Sequence, residues 1–220
     1  MRALPLLALL AMGCPKSTPS ASEGAALARL APVPSVVEYD LHTVAGPFNL
    51  PVTQHREEWH AVSAPAGQRV YDVEVWDVTE GARDPVETVR RFYNDAGYGF
   101  IGTVDGDGDL DTWEPAQVVL PAVPRVGDTW TNTHSKAGRT SERTCELQAA
   151  DHCTGGVVSV CESRREHGVV ILRDHFCPGE GWVGFEALQQ VGGQPAVRMW
   201  SEAVVRDGVA LTPIPVQPDE

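Results

Sequence analysis

Between residues 69 and 78 the side chains alternate. Tyr71, Val73 and Val75 fall on one side, and Asp72, Glu74 and Trp76 on the other. An extended chain places successive side chains on opposite faces, so a period of two is the mark of a strand with one buried face. The same extended, apolar-rich character recurs at 36–44, 140–149, 156–163, 168–176 and 196–206. Clusters of Gly, Pro, Asn and Asp separate these runs and supply the turns. The pattern predicts an all-β protein with little helix: a curved antiparallel sheet, a sandwich or a half-barrel. One core spanning residues 36–212 is a comfortable size for a single domain.

Two segments are ambiguous or short. Residues 84–97 fit a helix with Asp84 as N-cap, Pro85 at the first turn, Glu87 as capping-box partner and Gly97 as its stop. They also fit a strand at 86–93, a loop at Asn94-Asp95-Ala96-Gly97 and a return strand at 98–104. The well-formed return strand favours the hairpin. Pro115 and Pro124 bracket an apolar piece in which Val118-Val119-Leu120 forms a short strand, and Gly127-Asp128 turns the chain into Trp130. Residues 213–220, with Pro213, Pro215 and Pro218, read as a loose tail.

Asp105, Asp107, Asp109 and Asp111 alternate with Gly106, Gly108 and Leu110. Carboxylates at every second position suit Ca²⁺, which takes several hard oxygen ligands. The EF-hand pattern, however, places Gly where Leu110 stands and Glu where Ala116 stands. An acidic turn after a strand is the preferred reading, with calcium as the alternative and no other cofactor expected. No Gly-x-Ser-x-Gly or His-Glu-x-x-His motif occurs, and His55 and His60 are five apart, so they would not share a helical face. Asp174-His175 is a dyad by adjacency alone. No catalytic residue is assigned.

The chain has 220 residues and begins Met1-Arg2, followed by an apolar run from Ala3 to Gly13 and then Cys14. A basic tip, a short apolar core and small residues at the cut have the layout of a secretory signal. Leu10-Ala11-Met12-Gly13-Cys14 resembles a bacterial lipobox, with Gly13 fitting the position before the cysteine and Ala11 departing from the usual Leu. The resemblance implies a signal peptide over 1–13 and a lipid-modified Cys14 carrying diacylglycerol and an N-acyl chain such as palmitate. Several acyl chains together anchor a protein stably to a membrane. Residues 14–35, rich in Ser, Ala and Pro, read as a flexible tether. Pro15 in place of Asp after the cysteine implies the outer membrane under the enterobacterial sorting rule. Loss of Arg2 would take the formal charge from −13 to −14. Such a surface repels polyanions, which excludes nucleic acid as a partner.

Five cysteines become four if Cys14 is lipidated, and an even number in an exported chain reads as two disulfides. Four cysteines allow three pairings. Folding 140–149 onto 156–163 brings Cys145 opposite Cys161, and folding the next hairpin brings Cys177 toward the turn at Cys153. The expected bridges are Cys145–Cys161 and Cys153–Cys177. Spacings of eight, eight and sixteen contain no Cys-x-x-Cys, which argues against structural zinc.

The piece from Pro124 to Trp130, the cysteine-bearing strands and Cys177-Pro178-Gly179-Glu180-Gly181-Trp182-Val183 together resemble the β-rich domains of uncharacterised bacterial lipoproteins, over roughly residues 70–205. Some relatives of that kind are half-barrels that hold lipid. The resemblance implies a curved antiparallel sheet and carries no functional residue across. The expected role is a membrane-anchored envelope lipoprotein, a non-catalytic module for an envelope protein, lipid or polymer. The alternatives are an exported hydrolase with a dispersed site and a Ca²⁺-dependent adhesion module.

Overall fold

The computed structural model describes residues 35–66, 68–79, 81, 85–94, 97–136, 139–165 and 168–215. The expected signal peptide, Cys14, nearly all of the tether and the last five residues of the tail lie outside the described residues. Among the described residues the regular structure is all strand. In order these are β1 (Val36–Ala45), β2 (Phe48–Asn49), β3 (Thr53–Val62), β4 (Arg69–Asp77), β5 (Glu87–Asn94), β6 (Gly97–Val104), β7 (Leu110–Pro121), β8 (Thr129–Lys136), β9 (Arg139–Ala149), β10 (Val157–Arg165), β11 (Gly168–Cys177), β12 (Gly181–Val191), β13 (Gln194–Arg206) and β14 (Val209–Ala210).

Each long strand pairs antiparallel with its neighbour in sequence, and β13 returns to pair with β1. The expected curved antiparallel sheet is therefore present, and of the three expected shapes it is the half-barrel that it approaches, drawn round by the β13–β1 pairing into a nearly closed barrel. β5 and β6 pair antiparallel as the two arms of the hairpin, so this segment is strand rather than helix. β7 is longer than the short strand expected from Val118 to Leu120, because the chain stays extended through Pro115. The chain is held up to the start of the tail. Leu211 packs on the core, and Thr212 donates from its amide and its hydroxyl to the Glu180 carboxylate, at 2.7 Å each.

The strands have two different ends. β1 starts, and β7, β9, β11 and β13 finish, at one end. There Val37, Tyr98, Leu120, Leu147, Val157, Phe176, Trp182 and Val204 are buried together and plug the barrel. Phe176, Leu120 and Leu147 are fully buried within it. The opposite end carries the connections β1–β3, β4–β5, β6–β7, β8–β9, β10–β11 and β12–β13. The outer face bears paired charges, such as the bidentate Arg90–Asp72 contact at 2.6 and 2.8 Å and Arg56–Glu58 at 2.9 Å. A lipid-facing barrel instead needs an apolar outer band about 25 Å tall.

One seam is built differently. β7 and β8 share a single ladder position, Glu114 with Ser135. Side chains replace the missing ladder. The Asn132 amide accepts from Val118 N at 3.0 Å and donates to Val118 O at 2.8 Å. Trp130 Nε1 also donates to Val118 O at 3.0 Å, and Ser159 Oγ, from β10, donates to Val119 O at 2.6 Å. Asn132 therefore stands in for a strand backbone, satisfying polar groups that would otherwise be stranded. Asn132→Leu should lower stability by about 2 kcal/mol, the cost of unsatisfied buried partners. Urea denaturation checks this, and an unchanged midpoint would show that the seam is held by packing alone.

Candidate functional site

Alternation fixes which side chains enter the lumen. On β3, β4 and β5 the cross-strand neighbours Glu57, Val75 and Glu87 point inward, as do Trp59, Val73 and Val89, and then Tyr71 and Arg91. Above the plug these residues leave a cavity of about 300 Å³. Its walls are aromatic: Tyr39, Tyr98, Phe100, Trp113, Trp182 and Phe185. Tyr39, Trp182 and Phe185 form a mutually contacting triad, with ring centroids 6.1–6.4 Å apart.

The floor of the cavity is charged. Arg91 is 9 % exposed. Its Nη1 donates to Tyr98 Oη at 2.9 Å and its Nη2 to Glu57 Oε1 at 3.3 Å. The guanidinium lies over the rings of Trp59 and Phe100 at 4.8 and 5.2 Å. Burial works against its charge, but Glu57 and Tyr98 outweigh that and raise its proton affinity further. Glu57 takes a second bond, from Trp59 Nε1 at 3.2 Å. Across the lumen Asp174 is 8 % exposed and accepts from Trp182 Nε1 at 3.0 Å. Burial raises its pKa, while the Trp182 bond, Arg91 and Arg143 pull the other way. Two polar atoms on this floor have no hydrogen-bond partner: Asp174 Oδ2, an acceptor, and Arg91 Nε, a donor. Buried polar atoms are nearly always paired, so these two set the floor of the cavity apart.

A wider hollow of about 500 Å³ lies behind β9 and β10, between Glu142, Glu146, Glu162 and Arg164. Its charged side chains are largely open to solvent, so the lumen is the stronger candidate. No motif marks the lumen as a site. Glu57, Arg91 and Asp174 are single charges in separate strands, and only closure of the barrel brings them together.

The residues singled out from sequence fall elsewhere. In the Asp105 turn, Asp105 Oδ1 accepts from the amides of Asp107 and Asp109 at 3.0 and 2.8 Å, and Asp111 joins β7 opposite Thr103. His55 points inward and stacks on Tyr39 at 5.6 Å, whereas His60 points out beside Glu58 and Glu74. Cys145 pairs with Cys161, directly opposite it in the ladder, with Cα atoms 4.0 Å apart. Cys153 pairs with Cys177, with Cα atoms 6.0 Å apart.

No protein-family model matches the chain, and no curated protein is similar to it. Among solved structures, a Bacteroides fragilis protein named for its export and its YmcC-like fold aligns at 12% identity and a TM-score of 0.38. The alignment covers 80% of this chain and 97% of that one. A likeness of that size says nothing about the residues in the lumen.

Two expected outcomes follow from the buried charges. Arg91→Met leaves Glu57 buried without its cation and should cost about 3–5 kcal/mol, much of it recovered in Arg91→Met with Glu57→Gln. Chemical denaturation of both variants checks this, and equal losses in the two would remove the pair from the account. His175, 4 % exposed, has its pKa lowered to about 4, first by burial and then by His152 and Arg173. The unfolded chain binds that proton near pH 6.5, while the folded protein resists it. The His175 contribution is therefore complete above about pH 6.5 and is lost as pH falls from there to about 4. His175→Phe should flatten this part of the profile, as read from urea midpoints across that range.

Proposed function

We propose that this chain is a lipid-anchored protein of the bacterial envelope, attached through Cys14 to the outer membrane, and that its barrel is a non-catalytic binding module. The observation that carries the binding reading is the lumen, with an aromatic cavity above a plug and two unpartnered polar atoms on its floor. Its orientation fits an anchor. The chain enters β1 at the plugged end, so a tether would hold that end toward the membrane and leave the mouth facing away.

The same geometry describes the ligand. Phe48, Val86 and Val191 are exposed on connections at the open end, at 68 %, 60 % and 45 %. Apolar groups at the rim, aromatic walls below them and a charged floor suit a small amphiphile with its polar end inward. The charged floor groups are mostly engaged with one another, which suits holding a molecule rather than transforming it.

Intact mass of the protein extracted from membranes tests the anchor. The expected result is loss of residues 1–13 with added acyl mass, and neither in Cys14→Ala. A free N-terminus cut elsewhere would overturn it. Fluorescence of 1-N-phenylnaphthylamine tests the lumen separately. Binding should enhance the signal, and Leu172→Trp, which fills the cavity, should abolish the enhancement in a folded protein. Undiminished enhancement in that variant would place the probe outside the barrel.

A further inference from the structure

A second site lies outside the lumen and does not depend on the reading above. At the plugged end the turn at residues 151–156 folds against β11. His175 and Cys177 are two residues apart on β11 and so share one face, while His152 and Cys153 come from the turn. Cys153 and Cys177 are disulfide-bonded. The rings of His152 and His175 stand 5.1 Å apart. A ring nitrogen of His152 and the two sulfur atoms lie within 4.8 Å of one another. Space here is tight, because a Cβ on Gly156 would collide with Cys153 Sγ.

The four ring nitrogens of His152 and His175 have no hydrogen bond, although the His152 side chain is 8% exposed and His175 is 4 % exposed. The nearest carboxylate, Asp151 Oδ1, is 3.7 Å from His152 Nδ1, beyond hydrogen-bond reach. Two neighbouring buried imidazoles without partners are missing something they could share. A neutral imidazole offers one lone pair, which a proton donor or a metal ion can accept.

We infer that His152, His175, Cys153 and Cys177 form a Cys2His2 centre for a divalent transition metal of the zinc class, assembled when the Cys153–Cys177 disulfide is reduced. The S–S bond takes two electrons and two protons from a dithiol reductant, which becomes a disulfide. Metal binding then releases the two thiol protons to solvent. Two thiolates and two neutral imidazoles balance the charge of the ion and suit tetrahedral coordination. This donor set selects zinc-class ions over Ca²⁺ and Mg²⁺. Bridge and metal exclude each other, so the same four residues are a covalent staple in an oxidising setting and a metal centre in a reducing one.

Cobalt titration of the full chain tests this, before and after reduction with a dithiol that is then removed without oxygen. The expected result is about one equivalent of Co²⁺ bound by reduced protein, with tetrahedral visible bands and thiolate charge-transfer absorption, and no such absorption in oxidised protein. His152→Ala and His175→Ala, each folded with both bridges and then reduced, should weaken binding at least about tenfold. Cys145→Ser with Cys161→Ser should keep the absorption. No thiolate absorption after reduction, absorption indifferent to both histidines, or absorption that follows Cys145 and Cys161 would each overturn the proposal. Indifference to the histidines also identifies binding by an unfolded chain.

Discussion

The pairing of β13 with β1 is the contact on which the rest of the structure depends. It joins residues more than 150 positions apart, such as Val37 with Arg206 and Leu41 with Ser201. Without it the two outer strands would be free edges, with backbone groups open to other chains. With it, every inward residue faces a shared interior. The bulge near Ala203, where the backbone takes a positive φ of 51°, lets β13 change register and still meet β1. Arg206 closes the same corner by donating to the carbonyls of Glu180 and Trp182, so the β11–β12 turn is tied to the closing strand.

Closure also explains how the charged floor can exist. A buried guanidinium is costly unless it is paired and its hydrogens are used. Arg91 meets that cost with Glu57, Tyr98 and two ring faces, contributed by β3 and β6. The plug below keeps this group away from water on one side, and the open end leaves a cavity on the other. The polar floor and the apolar plug are therefore two layers of one interior. The plug fixes the strands that position the charges, and the charges hold the lumen open where a fully apolar interior would pack.

The two disulfides do different jobs in this frame. Cys145–Cys161 joins neighbouring strands already held by a ladder. Cys153–Cys177 has the greater sequence separation, 24 against 16 residues, and pins a turn onto the sheet. A bridge closing a loop of this size contributes about 3 kcal/mol in the chain-entropy account. The turn it holds covers His175, so the second bridge also creates the buried histidine pair.

The local signals in the sequence carried far. Alternation at residues 69–78 and the turn residues around it were enough for an all-β antiparallel protein, because side-chain direction in a strand depends only on parity. The hairpin at 86–104 was legible for the same reason, since Val, Thr, Phe and Tyr suit a pleated surface. Hairpin geometry also placed Cys145 beside Cys161 and Cys177 beside Cys153, because antiparallel neighbours are fixed by where the turn falls. Parity, however, has no reach beyond a hairpin. Whether the sheet closes depends on twist and on a meeting of strands at opposite ends of the chain, so the choice between a sandwich and a half-barrel drawn into a nearly closed barrel waited for the tertiary structure. Glu57, Arg91 and Asp174 looked like ordinary charges in an acidic chain, and His152 and His175 like solvated histidines beside cysteines. Only tertiary structure shows that all five are buried or nearly so, because burial depends on which distant strands close over a residue.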